Sequence, residues 1–261
     1  MKIQVCLTEE KIARDFFSSL KRGKLEERFF YWFPLSVFAW LRLCQSRPYQ
    51  NYRRSLELAK KASKELATGI SGHSVQWLSL GSGQGTKEIP FLGALLKIKK
   101  KVRYFPLDSS QPFLEMAVAE GVKRKIPTTG FKANLELPEH LRQIPKPEEG
   151  EIQVISLLGN TLGNLGSSRL LKTLTGRMRR GDWLVVDGEI FQGEKTLAGY
   201  DHTLNRRFAL APLLSVGMTP EDGVLRFELG RPNQDGVARL SKSFLFKRAK
   251  EIFHSGERLS F

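Results

Sequence analysis

Gly81, Gly83 and Gly85, in the run WLSLGSGQGTKEIP (77–90), and Asp108, 23 residues after Gly85, are the residues whose types and spacing could do chemistry. An apolar stretch leads straight into the glycines, and Thr86 to Leu96 reads as a helix whose first N–H groups point back at the loop. Glycine permits a sharp turn and lets a ligand lie against the main chain, where a Cβ would intrude. A second apolar stretch, Val102 to Leu107, delivers Asp108 at its carboxyl end, where an acid can accept hydrogen bonds from both hydroxyls of a ribose. A glycine turn between strand and helix is also common for steric reasons alone. The ordered set of strand, glycine loop, helix, strand and acid is what points to a bound nucleoside.

An alternation of elements must hold these residues in place. Strands are expected at 75–80, 102–107, 129–133, 152–157 and 182–188, with helices near 86–97, 111–120, 138–143 and 167–178, the pattern of a parallel sheet covered on both faces. The loops that follow the strands then share one crevice, so LLGNTLGNLG (157–166) and DGEIFQG (187–193) join the chemistry. Residues 8–68 read as helical, in three pieces: Glu9–Leu20, a segment from Pro34, and Tyr49–Ala67. Their many aromatic residues fit either a helix–helix core or a cap over a cofactor. Beyond 190, Leu197–Leu214 reads as a helix, and GVLRFELG (223–230) and GVARLSKSFLF (236–246) alternate around the turn PNQDG as an antiparallel hairpin. The expected division is a helical part of a substrate lobe at 1–70, a cofactor domain at 71–193, and the remainder of the substrate lobe at 194–261.

Composition bounds the class. The 261 residues, 41% of them apolar, can build one large domain or two coupled ones. Only Cys6 and Cys44 are present, which argues against a disulfide framework and for a reducing cytoplasm. The longest apolar run, Phe29 to Leu41, falls short of the ~20 residues of a membrane span. Glu9, Glu10 and Lys11 follow too soon after Met1 for a signal peptide, and no metal-ligand set is evident. A formal charge of +15 raises nucleic acid as a partner. The basic residues are scattered, however, and a small-molecule substrate is the expectation. Counted from Gly81, a dinucleotide fingerprint wants its third glycine at position 86, where threonine stands. Glycine loop and ribose acid suit a dinucleotide or S-adenosylmethionine (SAM); the spacing separates the two only in part and disfavours hydride transfer.

GSGQGTK (81–87), PLDSS (106–110), GNTLGN (159–164) and AGYDHTLNRRF (198–208), in this order, resemble the SAM-dependent histidine N-alpha-methyltransferase family of ergothioneine biosynthesis. The likeness runs from about Leu20 to the end of the chain. It implies an α/β fold with a Rossmann-like, class I methyltransferase parallel sheet of order 3-2-1-4-5, its final strands absent. The N-terminal helices and the C-terminal antiparallel hairpin would form the second lobe. It also implies that Gly81, Ser82 and Gly83 pass under the methionine part of SAM, that Lys87 contacts it, and that Asp108 with Ser109 holds the ribose. Asn134 and Leu135 stand where the family usually has Asp-Phe around the adenine, and Tyr31 matches a cofactor-side tyrosine. Asn164 and Tyr200 resemble the catalytic residues that grip the amino-acid substrate, and Tyr49 resembles a substrate-side tyrosine. Neutral groups of this kind orient an amine lone pair without holding the amine charged, so no strong general base is needed. Simpler roles exist for several of them: Asn164 and Asp108 could cap the helices that follow them, and Tyr200 could be packing.

HSGERLSF (254–261) resembles the segment that in the family precedes a Glu-x-Ser pair reading the substrate imidazole, and that pair does not follow. Ser241 is another candidate, with Arg239 in place of the acid. Strand five is then expected to be a sheet edge, covered by a second subunit, or the chain is a shortened member with altered or lost activity. The leading expectation is a SAM-dependent N-methyltransferase for the amine of a small molecule such as histidine. The alternatives are a non-catalytic subunit that binds SAM or its demethylated product S-adenosylhomocysteine (SAH), and an RNA methyltransferase. The last draws on charge alone and lacks the Asn/Asp-Pro-Pro-aromatic loop after strand four.

Overall fold

The computed structural model describes residues 2–165, 167–190, 192–234, 236–247, 251–254 and 257–260, with the backbone alone at 167, 168 and from 251 onward. In chain order the elements are β1 (Ile3–Val5), α1 (Glu9–Lys21), α2 (Pro34–Cys44), α3 (Asn51–Gly69), β2 (Ser74–Leu80), α4 (Ile89–Lys97), β3 (Lys101–Asp108), α5 (Gln111–Lys123), β4 (Gly130–Lys132), α6 (Pro138–Arg142), β5 (Glu151–Leu157), α7 (Ser167–Thr175) and β6 (Trp183–Val186). They continue with α8 (Glu194–Tyr200), α9 (Thr203–Leu214), β7 (Gly223–Leu229), β8 (Leu240–Phe246), β9 (Glu251–His254) and β10 (Glu257–Ser260). The chain forms two compact units, one of residues 1–8 with 51–189, the other of 9–50 with 190–261. The strand at 3–5 and the helix at 51–69 fall in the unit that holds the sheet.

In the first unit six strands form one all-parallel sheet, in the order β1-β4-β3-β2-β5-β6. The five strands β4-β3-β2-β5-β6 reproduce the 3-2-1-4-5 order, and β1 adds a further strand beside β4 that the sequence did not reveal. Pleating sends successive side chains to opposite faces, so β2 gives Val75 and Trp77 to one core and Leu78 and Leu80 to the other. β3 divides in the same way, with Val102 and Tyr104 on the first side and Phe105 and Leu107 on the second. Phe91, Leu92 and Leu95 of α4 cover the first face, and Leu141 of α6 with Leu170 and Leu174 of α7 cover the second. This is why the strands read as near-continuous apolar runs.

β6 ends the sheet, and Leu184 and Val186 on it are 37% and 42% exposed. In the second unit β7 and β8 pair antiparallel from Gly223↔Phe246 to Leu229↔Leu240, and β9 with β10 makes another two-stranded sheet. The helix expected over 197–214 is two helices, broken at Asp201 and His202, where the Asp201 carboxylate takes a forked pair of bonds from Arg206 at 2.6 and 2.9 Å. Among the described residues no helix is long and apolar enough to cross a membrane.

Trp77 is fully buried, stacks on Phe91 at 5.3 Å and donates its indole N–H to Ser156 Oγ at 3.0 Å. Trp77→Ala is expected to cost about 3–5 kcal/mol in urea unfolding; a loss below about 1 kcal/mol would show that this face is not the core.

Candidate active site

The strand register builds the site. Leu80 pairs with Leu107, so Gly81 leaves β2 next to the point where Asp108 ends β3. Gly81 and Ser82 both donate their backbone N–H to Leu107 O, at 2.9 and 3.0 Å. The loop then turns onto Asp108 itself: Gly83 N–H donates to Oδ2 at 2.8 Å and Ser110 N–H to Oδ1 at 2.9 Å. Asp108 is 8% exposed; burial raises its pKa, and the N–H groups of Ser110, Gly83 and Ser109 work against that rise. A carboxylate has about four lone-pair positions. These two bonds leave others for a ligand, so helix-start bonding and ligand binding are compatible at this residue. Ser109 beside it is half-buried.

The three glycines serve different ends. All have positive φ, at +67, +51 and +75° for Gly81, Gly83 and Gly85. A Cβ on Gly81 would come within 2.9 Å of Thr161 Cγ2, and one on Gly85 within 2.9 Å of Ala117 Cα. Only at Gly83 would it meet nothing within 4 Å. Of the three, Gly83 has open space at its Cβ position, while Gly81 and Gly85 are also required by the protein's own packing.

Helix α3 braces this loop. Tyr52 Oη accepts from Gln84 Nε2 at 2.5 Å and is hydrogen-bonded to Thr86 Oγ1. Its ring lies under Lys87, whose Nζ is 5.1 Å from the ring centroid. The same ammonium packs so closely on Gly159, at φ +84°, that a Cβ there would overlap it. At the end of β6, Asp187 Oδ1 accepts from Gly159 N–H and from Asn160 N–H (2.9 Å), and Oδ2 from Ser55 Oγ of α3. Glu189 accepts from Asn51 Nδ2 at 2.6 Å. Sequence reasoning missed Asn51, Tyr52, Ser55 and Asp187 as individuals. Asp187 carried a usable signal, since it is an acid just past a strand end, as Asp108 is.

After β4, Leu135 Cδ2 lies 3.7 Å from where a Cβ on Gly81 would stand. Asn134 Oδ1 accepts from Glu136 N–H at 3.0 Å, which uses one of its two lone pairs. Asn164 ends a single 3-10 turn, Leu162–Asn164, and is exposed; the helix start it could cap includes Gly166, outside the described residues.

The second unit gathers Tyr31, Tyr49 and Tyr200 into one aromatic cluster. Tyr31 packs on Trp40 and Phe208 at 5.3 and 5.4 Å, Trp40 on Tyr49 at 5.9 Å, and Tyr49 on Tyr200 at 6.0 Å. Buried Asn205 fixes the last of these, donating from Nδ2 to Tyr200 O at 2.6 Å. Burial above all, then Glu27, Tyr49, Cys44 and Tyr200, lifts the Tyr31 pKa well above the ordinary phenol value, so it stays a neutral phenol. Lys242 of β8 sits over Phe30 and Phe208, at 4.6 and 5.5 Å. Ser241 and Arg239 are exposed, and the segment 254–261 falls partly outside the described residues.

A parallel sheet of this order, with a glycine loop after β2 and an acid ending β3, is the frame of a Rossmann-like, nucleoside-binding enzyme. The chain belongs to the family described as histidine-specific methyltransferase, SAM-dependent, whose family model matches residues 12–213. No curated protein is similar enough in sequence to match. Among solved structures it is similar to the plantazolicin methyltransferase BpumL in complex with SAH, at 16% identity and a TM-score of 0.41, over 87% of this chain and 85% of that one. It is also similar to a SAM-dependent methyltransferase from Clostridium acetobutylicum ATCC 824, at 11% identity and a TM-score of 0.40, over 82% and 75% of the two chains. Membership of a SAM-dependent family makes SAM the cofactor of this protein, and the residues fit it: the missing Cβ of Gly83 leaves open space beside a buried carboxylate with acceptor capacity to spare.

Asp187 ties two loop N–H groups and α3 together. Asp187→Ala is therefore expected to cost about 1–3 kcal/mol, read as a lowered urea midpoint; an unchanged midpoint would remove it from the frame of the site.

Proposed function

We propose that this methyltransferase acts on the amine nitrogen of a small molecule, with an amino acid such as histidine as the first candidate. The observation that carries the cofactor side is Asp108, buried at the end of β3 and bonded to the N–H of Gly83, the one of the three loop glycines with open space at its Cβ position. In this reading Gly81, Ser82, Gly83 and Lys87 hold the methionine part of SAM, Asp108 and Ser109 the ribose, and Asn134 and Leu135 the adenine. Tyr31 is a further cofactor contact. The clustering of Tyr31, Tyr49 and Tyr200 in the second unit supports a substrate role for that unit.

When bound, SAM supplies an electrophilic methyl group on a sulfonium whose thioether leaves. The residues of this chain have the task of presenting a neutral amine to it. An ammonium has no lone pair, so the amine must reach the site deprotonated or lose its proton to solvent there. Phenols and amides donate and accept without charge. Tyr49, Asn164 and Tyr200 would orient the nitrogen lone pair while leaving it free. Alignment of this kind is the main catalytic resource in a transfer whose leaving group is already activated.

Asp108→Ala removes charge-assisted bonds worth about 1.5–3 kcal/mol. SAH affinity in calorimetry is then expected to fall by roughly ten- to a hundredfold, and unchanged affinity would reject the ribose role. Tyr200→Phe is expected to leave SAH affinity intact and to lower kcat/KM for the methylated amine. A mass-spectrometric screen of amino acids and amines for the gain of one methyl identifies the acceptor. Binding of SAH without any methylated product would favour a sensing subunit, and methylation of RNA alone would favour the nucleic-acid reading.

A further inference from the structure

Glu88 closes the glycine-rich loop and opens α4, a position where an acid ordinarily faces solvent and the helix N-terminus. Here it turns inward and is 2% exposed. Its Oε1 accepts from Ser79 Oγ of β2 at 2.5 Å, and its Oε2 is buried with no hydrogen-bond partner among the described residues. An ionised carboxylate held by one hydroxyl, away from water, is among the costliest arrangements in a protein interior. A carboxylic acid in the same place costs far less. The loop between these two residues, 81 to 87, contains Gly83 and Lys87, and Tyr104 of β3 lies against it with its hydroxyl 3.3 Å from the Cβ position of Gly85.

We propose that Glu88 is a positioning residue for the cofactor: an uncharged carboxyl that ties the far end of the glycine loop to β2 and so sets where Gly83 and Lys87 stand. The inference rests on the cofactor-side reading given above. Burial raises the pKa of Glu88 most, and nearby Asp187 raises it further; the Ser79 bond, its own backbone N–H and the adjacent Lys87 pull the other way without cancelling the rise. Tyr104 is itself held neutral, by burial above all. Lys87, Asp187 and Tyr104 are thus the ionisable groups that surround it.

The sign of the pH dependence follows. A carboxyl whose folded pKa lies above its unfolded value binds its proton more tightly in the native state, so its favourable contribution is complete below the unfolded pKa and is lost as pH rises through the folded one. Once ionised, Glu88 repels Asp187 and loses its fit under the loop. Glu88→Gln keeps an oxygen acceptor for Ser79 and cannot ionise.

Two readouts test this across about pH 5 to pH 9: SAH affinity by calorimetry, and the thermal midpoint of the ligand-free protein. In the wild type both are expected to fall with rising pH, affinity by about tenfold, and Glu88→Gln is expected to flatten both falls. Asp108 is also raised by burial but titrates in both proteins, so the comparison removes it. Glu88→Ala, which strips Ser79 of its acceptor, is expected to weaken SAH about tenfold at the acid end of this range. Superimposable profiles for wild type and Glu88→Gln would overturn the proposal. Failure of SAH to bind any of the proteins would instead overturn the cofactor reading, while the ligand-free midpoints still decide the state of Glu88.

Discussion

Asp108 is a carboxylate taken out of water at the end of a parallel strand, and it keeps its place because two backbone N–H groups point at it. One of them, from Gly83, belongs to the loop after β2; the other, from Ser110, starts α5. A single side chain therefore fixes the path of the glycine loop and the start of the next helix at once. Its placement depends on register: only because Leu80 pairs with Leu107 do the loop and the acid leave the sheet at the same height. A shift of one residue would turn Asp108 to the opposite face of the sheet.

The same edge is held from the far side by Asp187, which organises the loop after β5 as Asp108 organises the loop after β2. Among the described residues both acids are held by main-chain donors, with the Ser55 hydroxyl as well at Asp187, and by no arginine or lysine. That matters for a site meant to hold a cationic cofactor, because a protein cation paired with each acid would oppose the sulfonium. Lys87 is the cation brought among these loops, and it is settled over the ring of Tyr52 and against Gly159.

The alternation of strands and helices was legible because buried parallel strands write themselves as apolar runs bounded by turns, and each of the five expected strands is present within a few residues. β1 was not legible. Three residues, Ile-Gln-Val, carry no periodic signal and become a strand only by pairing with Gly130–Lys132. Helix α3 reads as amphipathic in either setting, so its membership in the sheet unit follows from tertiary contacts such as Ser55 to Asp187. At the site, motif order marked Gly83 and Asp108 at once, whereas the separate duties of Gly81 and Gly85 depend on Thr161 and Ala117, distant in sequence. Glu88 was hidden for the opposite reason: in sequence it looks like an ordinary first-turn acid, and only the fold reveals that it is buried.

The central claim is that the Asp108–Gly83 pair is where the nucleoside cofactor is held. Following backbone amide resonances during a titration with SAH tests it directly. The account predicts that the Gly83, Ser109 and Ser110 amides shift together and saturate with the same affinity that calorimetry measures. Saturating SAH that leaves these three amides unmoved, with the shifts elsewhere in the chain, would contradict it.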